Sequence, residues 1–220
     1  MKDNIVTIDG PSASGKGTLA RNIAKYLGFE ILDSGLLYRV YAYLYDCGIE
    51  HAQITKTINQ DITFKSNESG IVVVLKEKNN ITDELRKEST AKAASKISAL
   101  PETRKNLLLL QRGFYLSRGL VADGRDMGTV VFPNAKLKIF LNASPEIRAK
   151  RRQLELQNRG QEVNMLALIE DIKQRDLKDK TRKLSPLIPA EDSIVIDSSE
   201  MTPEEVLSFT KKLTKKEFNK

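Results

Sequence analysis

The chain is poor in the residues most often recruited for nucleophilic and metal chemistry. Its 220 residues contain one cysteine, Cys47, and one histidine, His51. A single thiol excludes an internal disulfide and any Cys-cluster zinc or iron–sulfur site. One imidazole removes most metal triads and argues against a Ser-His-Asp hydrolase. No apolar run is long enough to span a membrane, and none resembles a signal-peptide core, because Met1-Lys2-Asp3-Asn4 leads straight into Ile5-Val6-Thr7-Ile8. A cytoplasmic protein with no membrane partner is expected. Internal repeats and low-complexity segments are lacking. So are an Asn-Lys-x-Asp guanine-reading motif, an Asp-x-x-Gly switch and an ABC-type signature.

What is present is an ordinary globular composition, 40% hydrophobic and 30% charged. A chain of this length is one domain with insertions, or two small ones, and buries roughly 70% of its unfolded surface. Lys and Arg number 36 against 29 Asp and Glu, a formal charge of +7. Chemistry in such a chain falls to Lys, Arg, Asp and backbone groups, which points toward phosphate. Part of the excess sits in Lys211-Lys212-Leu213-Thr214-Lys215-Lys216, read as a solvated helix face rather than a polybasic anchor.

Short apolar runs alternate with helical periodicity, the pattern of a parallel sheet covered by helices. Strands are expected at Ile5–Ile8, Glu30–Leu32, Leu120–Ala122, Leu137–Leu141 and Ile194–Ile196, rich in Ile, Val and Leu without polar alternation. Ser144-Pro145-Glu146 reads as a helix start and Thr202-Pro203-Glu204-Glu205 as a capping box. Between the second and third strands, Ile62–Lys65 and Ile71–Leu75 flank a turn-rich stretch and predict a hairpin, followed by helices from about Asp83 to Ser117. This insertion is too short for a large core of its own and is expected to move as a unit on the main sheet. Tyr38, Tyr41 and Tyr45 are expected to pack, Cys47 to be a small buried hydrophobe, and His51 to lie on the surface without a role.

Gly10-Pro11-Ser12-Ala13-Ser14-Gly15-Lys16-Gly17-Thr18 follows the first strand and opens the first helix, with the spacing of a phosphate loop. Gly10 and Gly15 let successive N–H groups turn toward one anion, the helix N-terminus adds its positive end, and Lys16 reaches the β- and γ-phosphates. Lys16 is expected to pack against little. Gly17 departs from the general pattern, which has Ser or Thr there; the hydroxyl comes at Thr18.

Asp33-Ser34-Gly35-Leu36-Leu37-Tyr38-Arg39 follows the second strand, at the carboxyl edge where open α/β sheets bind ligands. Ser34 is expected to cap a helix and share an anion with Arg39. After the third strand, Asp123-Gly124-Arg125-Asp126 is too charge-dense to be placed idly, and Asp123 is suited to organise Mg²⁺ and its waters beside the phosphate loop. Arg175, Asp179 and Arg182 stand at i, i+4 and i+7 and are expected on one helix face; Arg148, Arg151 and Arg152 likewise share a face.

Taken in order, Gly10–Thr18, Asp33–Arg39, Asp123–Pro133 and Arg175–Arg182 followed by Ser185-Pro186-Leu187 resemble the bacterial cytidylate kinase family of nucleoside monophosphate kinases, over about Ile5 to Asp197. Ser185 stands where many relatives have Ala, and Lys178 where some have Arg. The resemblance implies an α/β P-loop three-layer fold with a five-stranded parallel sheet. To this it adds a small β-containing monophosphate-binding insertion, three-stranded, and a short helical lid. The implied core is about 1–35, 118–150 and 165–220, the insertion about 36–117 and the lid about 151–164. It implies transfer of a phosphoryl group from ATP to CMP or dCMP with Mg²⁺, by a monomer. Lys16, Arg125 and Arg182 would act on the transferred group, and Gly10 through Thr18 with the lid residues Arg151 and Arg152 would hold ATP. Ser34, Arg39 and Arg125 would serve the acceptor phosphate, with Tyr38 packed nearby. Ser95, Arg104 and Asp126 would contact cytosine, and Arg175 and Asp179 the ribose. The ligands of the metal stay open.

Two other readings compete. One is a kinase for another small acceptor such as UMP, AMP or shikimate. The other is a P-loop module acting on nucleic acid, suggested by the +7 charge. Against it, the basic residues cluster in the motifs, and no aromatic–basic interleaving marks a strand-binding groove.

Overall fold

A computed structural model describes residues 3–67, 70–75, 79–115, 118–158, 160 and 162–218. Glu68 and Ser69 of the expected hairpin turn, Leu116 and Ser117 at the end of the expected helical stretch, and Arg159 and Gln161 of the expected lid lie outside the described residues. In chain order the elements are β1 (Asp3–Asp9), α1 (Lys16–Leu27), β2 (Glu30–Asp33), α2 (Ser34–Asp46), α3 (His51–Asp61), β3 (Ile62–Asn67) and β4 (Gly70–Leu75). There follow α4 (Thr82–Arg86), α5 (Glu88–Ile97), α6 (Pro101–Gly113), β5 (Leu120–Gly124), a single π-turn at Met127–Val131, and β6 (Ala135–Asn142). The chain closes with α7 (Pro145–Gln157), α8 (Met165–Thr181), β7 (Ile194–Asp197) and α9 (Pro203–Phe218). Among the described residues no helix is long and apolar enough to cross a membrane. Two compact units divide the chain, Met1–Leu32 with Phe114–Lys220, and Asp33–Gly113.

The first unit is built on a five-stranded sheet in the order β2-β5-β1-β6-β7, with β1 parallel to both β5 and β6. All five expected strands are present, one to three residues longer than their apolar runs. Ile5, Val6, Thr7 and Ile8 of β1 are fully buried, so both faces of the central strand are covered. Val6 and Ile8 join Leu19, Ile23 and Leu27 of α1, Ile139 and Leu141 of β6 and Val206 of α9 in one core. Each such aliphatic side chain contributes about 1.5–3 kcal/mol by leaving water, which lets the strand ends carry buried charge. Both expected helix starts form. Ser144 Oγ accepts from Ile147 N–H before Pro145, and Thr202 and Glu205 exchange side chain-to-backbone hydrogen bonds at 2.8 and 3.2 Å. Helix α7 continues unbroken through residues 151–157, so the stretch expected as a lid begins inside it.

The second unit packs α2, α3, α5 and α6 around Leu37, Tyr41, Ile54, Ile58 and Leu107. The hairpin pairs β3 with β4 from Ile62↔Leu75 to Asn67↔Gly70. Where three strands were implied, the described residues hold these two, with the chain grazing β4 again through Leu75 N–H to Asn79 O and Ile81 N–H to Val73 O. Asp33, not Ser34, caps α2, its carboxylate accepting from Leu36 N–H at 2.9 Å. Cys47 is exposed rather than buried, because it stands just past the end of α2. His51 does have a partner: its Nδ1 shares a 2.8 Å hydrogen bond with the fully buried Tyr41, and its ring stacks on Tyr45 at 4.5 Å.

Candidate active site

Gly10 takes φ 149°, and a Cβ there would fall 2.0 Å from the Leu141 carbonyl oxygen, so the loop lies flush on β6 as only glycine allows. Gly15 turns left-handed at φ 95° to open α1, and Ala13 between them is also left-handed at φ 58°. The backbone between the glycines therefore curls, and the first N–H groups of α1 have no side-chain cap. Lys16 does not stand clear as expected: it is buried, and its Nζ donates to Pro11 O at 2.8 Å. A Cβ on Gly17 would come within 3.3 Å of Asp123 Oδ2, which places that strand-end carboxylate against the first turn of α1.

Charge gathers around this lysine. Burial, and after it the Arg125 cation, pushes the Lys16 amine down from 10.5 to about 8, against the pull of Asp123 and Asp9. Asp9, ending β1, accepts from the Met127 and Gly128 N–H groups at 2.8 Å each. Burial raises its carboxyl to about 6, although those two donors oppose the shift. Asp126 is buried beside it, at the head of the π-turn. Arg125 Nε donates to Asp179 Oδ2 at 2.8 Å, and Arg182 Nη1 stands 3.5 Å from Asp179 Oδ1. Burial works to raise the Asp179 carboxyl, but Arg125, then Arg182 and Arg175, hold it below the usual carboxylate range. Arg175 and Asp179 share α8 as expected. Arg182 does not: it lies past the helix end in extended backbone, its Nε donating to Ser185 O. Among the described residues no three His, Cys, Asp or Glu side chains gather as a metal cage.

Two of the three α7 arginines hold the loop's backbone. Arg151 Nη1 donates to Ser14 O at 3.0 Å and its Nη2 to Ser198 O at 2.7 Å, whereas Arg152 Nη1 donates to Glu155 at 2.7 Å. Arg148, expected only to share their face, is buried and reaches Ser12 O. In the second unit, the Ser34 hydroxyl accepts from Gln111 Nε2 at 2.8 Å, and Arg39 Nη1 donates to Leu85 O at 2.7 Å. The Arg104 guanidinium carbon lies 5.7 Å from the centre of the Tyr38 ring. Ser95 is half-buried on α5, its carbonyl accepting from the Ser98 hydroxyl. Sequence reasoning passed over Asp9, Gln111 and Asp176, and gave Arg148 a helix face but no contact with the loop. For Asp9 there was a usable cue, an acid ending a buried apolar strand, the same cue that singled out Asp123.

A glycine-ended phosphate loop between the first strand and helix of a parallel sheet, with a buried lysine, strand-end acids and clustered arginines, defines a P-loop phosphotransferase of the α/β class. The family model described as cytidylate kinase matches residues 6–216. The cytidylate kinase of Vibrio vulnificus strain YJ016 is 49% identical over 208 residues, 92% of each chain. That of Aliivibrio salmonicida strain LFI1238 is 48% identical over 209 residues, 93% of each. The chain belongs to the cytidylate kinase family.

Proposed function

We propose that this chain transfers the γ-phosphoryl group of ATP to CMP or dCMP, giving ADP and CDP or dCDP. The observation that carries the reading is the buried Lys16 at the head of the phosphate loop, electrostatically linked to Arg125, Asp123 and Arg175, in a chain of this family. An acceptor phosphate oxygen attacks the γ-phosphorus and the bond to the β–γ bridging oxygen breaks. That acceptor is already anionic, so no general base is required, in keeping with a chain that has one histidine. Catalysis then rests on position and charge. Lys16, Arg125 and Arg182 would neutralise the transferring group, and Gly10 to Thr18 would cradle the donor's phosphates. Ser34, Arg39 and Arg125 would hold the acceptor phosphate beside Tyr38. Ser95, Arg104 and Asp126 would read cytosine, and Arg175 and Asp179 the ribose, with Asp179 exchanging part of its arginine pairing for a hydroxyl.

Mg²⁺ suits this donor set, because a cation that keeps most of its waters needs one or two carboxylates besides phosphate oxygens, and Asp123 lies against the loop's helix. When bound it would offset charge on the β- and γ-phosphates. We further propose that residues 151–164 close over ATP as a lid, with Arg152 facing the nucleotide. The monophosphate-binding part would be residues 36–117, and the protein would work as a cytoplasmic monomer in pyrimidine nucleotide metabolism. A coupled ADP-release assay across CMP, dCMP, UMP, AMP and shikimate tests the reading. Cytosine offers an amine donor where uracil has a carbonyl, so a carboxylate at Asp126 favours CMP and repels UMP. CMP and dCMP are expected to be much the better acceptors, and Asp126→Ala to narrow the gap by damaging CMP use. Equal efficiency with UMP would remove the cytosine assignment, and no turnover with any acceptor would remove the kinase reading.

A further inference from the structure

We propose that the buried Arg148–Asp176 pair is a positioning brace that holds the phosphate loop in its anion-binding shape before ATP arrives. The proposal rests on the reading of Gly10–Thr18 as the ATP phosphate cradle.

Arg148 is 2% exposed and heads the fully buried side chains by size. A guanidinium is rarely placed so deep without a full set of partners. Here Nε donates to Ala143 O at 2.8 Å, Nη1 to Asp176 Oδ1 at 3.0 Å and to Ser12 O at 3.2 Å, and Nη2 to Asp176 Oδ2. If the pair served stability alone, two apolar side chains of similar volume would do as well or better. What apolar side chains could not do is fix a carbonyl of the loop.

The carbonyl that Arg148 takes is the one before Ala13, the left-handed non-glycine residue of the loop. Such a conformation persists only where the surroundings dictate it. The described peptides are all trans, so the Ala13 N–H points opposite the Ser12 carbonyl, and holding one aims the other. One turn further along α7, Arg151 takes the Ser14 carbonyl in the same way and aims the Gly15 N–H. Arg148 also continues into α8, through Asp176. Asp176 adjoins Arg175 and precedes Asp179 by three residues, so the brace ties the loop to the helix whose side chains act on Lys16 and Arg125. Arg148 and Asp176 act through the loop and are not catalytic residues.

The decisive variant is R148M/D176L, which replaces the ion pair with apolar side chains and leaves no buried charge behind. R148K runs in parallel, since a lysine keeps the charge but lacks the fork to serve Asp176, Ala143 and Ser12 together. Thermal melting and circular dichroism establish folding, calorimetry gives ATP affinity without acceptor, and steady-state kinetics give each KM. In a folded variant, ATP affinity is expected to weaken and the KM for ATP to rise by about tenfold to a hundredfold, with the KM for CMP nearly unchanged. A role in stability alone would lower the melting temperature and leave ATP binding intact. ATP binding equally well to the unmodified chain and to either folded variant overturns the brace by itself. Failure of ATP to bind the unmodified chain overturns the phosphate-loop reading, and the brace with it.

Discussion

Lys16 carries the clearest consequences at the scale of single residues. Its amine, lowered to about 8 foremost by burial and then by Arg125, gives up its proton near pH 8 in the free protein. The kcat/KM for ATP is expected to hold below that pH and to fall above it, while the limb for kcat moves higher because bound phosphates favour the charged amine. ATP binding near pH 8 should therefore take up a proton, which calorimetry in two buffers of different ionisation enthalpy detects. Stability carries its own sign. The unfolded lysine stays charged to its ordinary value of 10.5, so the folded state bears the full cost of the buried cation below about pH 8 and is relieved of it between there and 10.5. Lys16→Ala should abolish turnover in a chain that still folds by circular dichroism, and near-normal turnover would remove the loop assignment. For Arg125→Ala, loss of a preorganised charge predicts turnover lower by about 10²–10³-fold, and Asp179 keeps Arg182 as a partner. A merely structural ion pair would instead lower the melting temperature and leave turnover per folded molecule unchanged. The phosphate loop, Arg125 and Asp126 were legible because their spacing is local. Asp9 carried the same strand-end cue as Asp123, but its partners Met127 and Gly128 lie more than a hundred positions away and could not be read from it, and nothing in the α7 repeat of arginines says that loop carbonyls await them.

At the scale of elements, the buried strands and capped helices could be read directly, because periodicity and caps are written within a few residues. The Thr202–Glu205 box is exposed and distant from the loop in sequence, so Thr202→Ala should cost about 1 kcal/mol in urea unfolding and leave turnover unchanged. Boundaries set by longer contacts were less legible. The helical spacing of Arg175, Asp179 and Arg182 fails at its third member because α8 stops at Thr181, where the chain bends so that Arg182 can hold the Ser185 carbonyl ahead of Pro186. Cys47 was misplaced for a related reason: the buried face of α2 ends at Leu44 and the helix itself at Asp46, one position before it.

For the molecule as a whole, part of the +7 charge is spent on solvation. Lys211 lies over the Tyr26 ring at 5.0 Å, whereas Lys212, Lys215 and Lys216 of α9 are exposed. K212Q/K215Q/K216Q should therefore keep wild-type turnover and melting temperature, and a large loss of either would mean that α9 has a binding role. The strand order has a consequence for how the protein is made. In the five-stranded sheet β1 lies between β5 and β6, and β2 pairs with β5 alone, so no two of its strands that leave the ribosome before residue 120 are neighbours. The unit Asp33–Gly113 is contiguous and can settle as it emerges. The apolar β1 must wait through the synthesis of that entire insertion, roughly 5–20 s at ordinary elongation rates. Nascent-chain protection of Ile5–Ile8 would thus appear late and abruptly, with the arrival of β5.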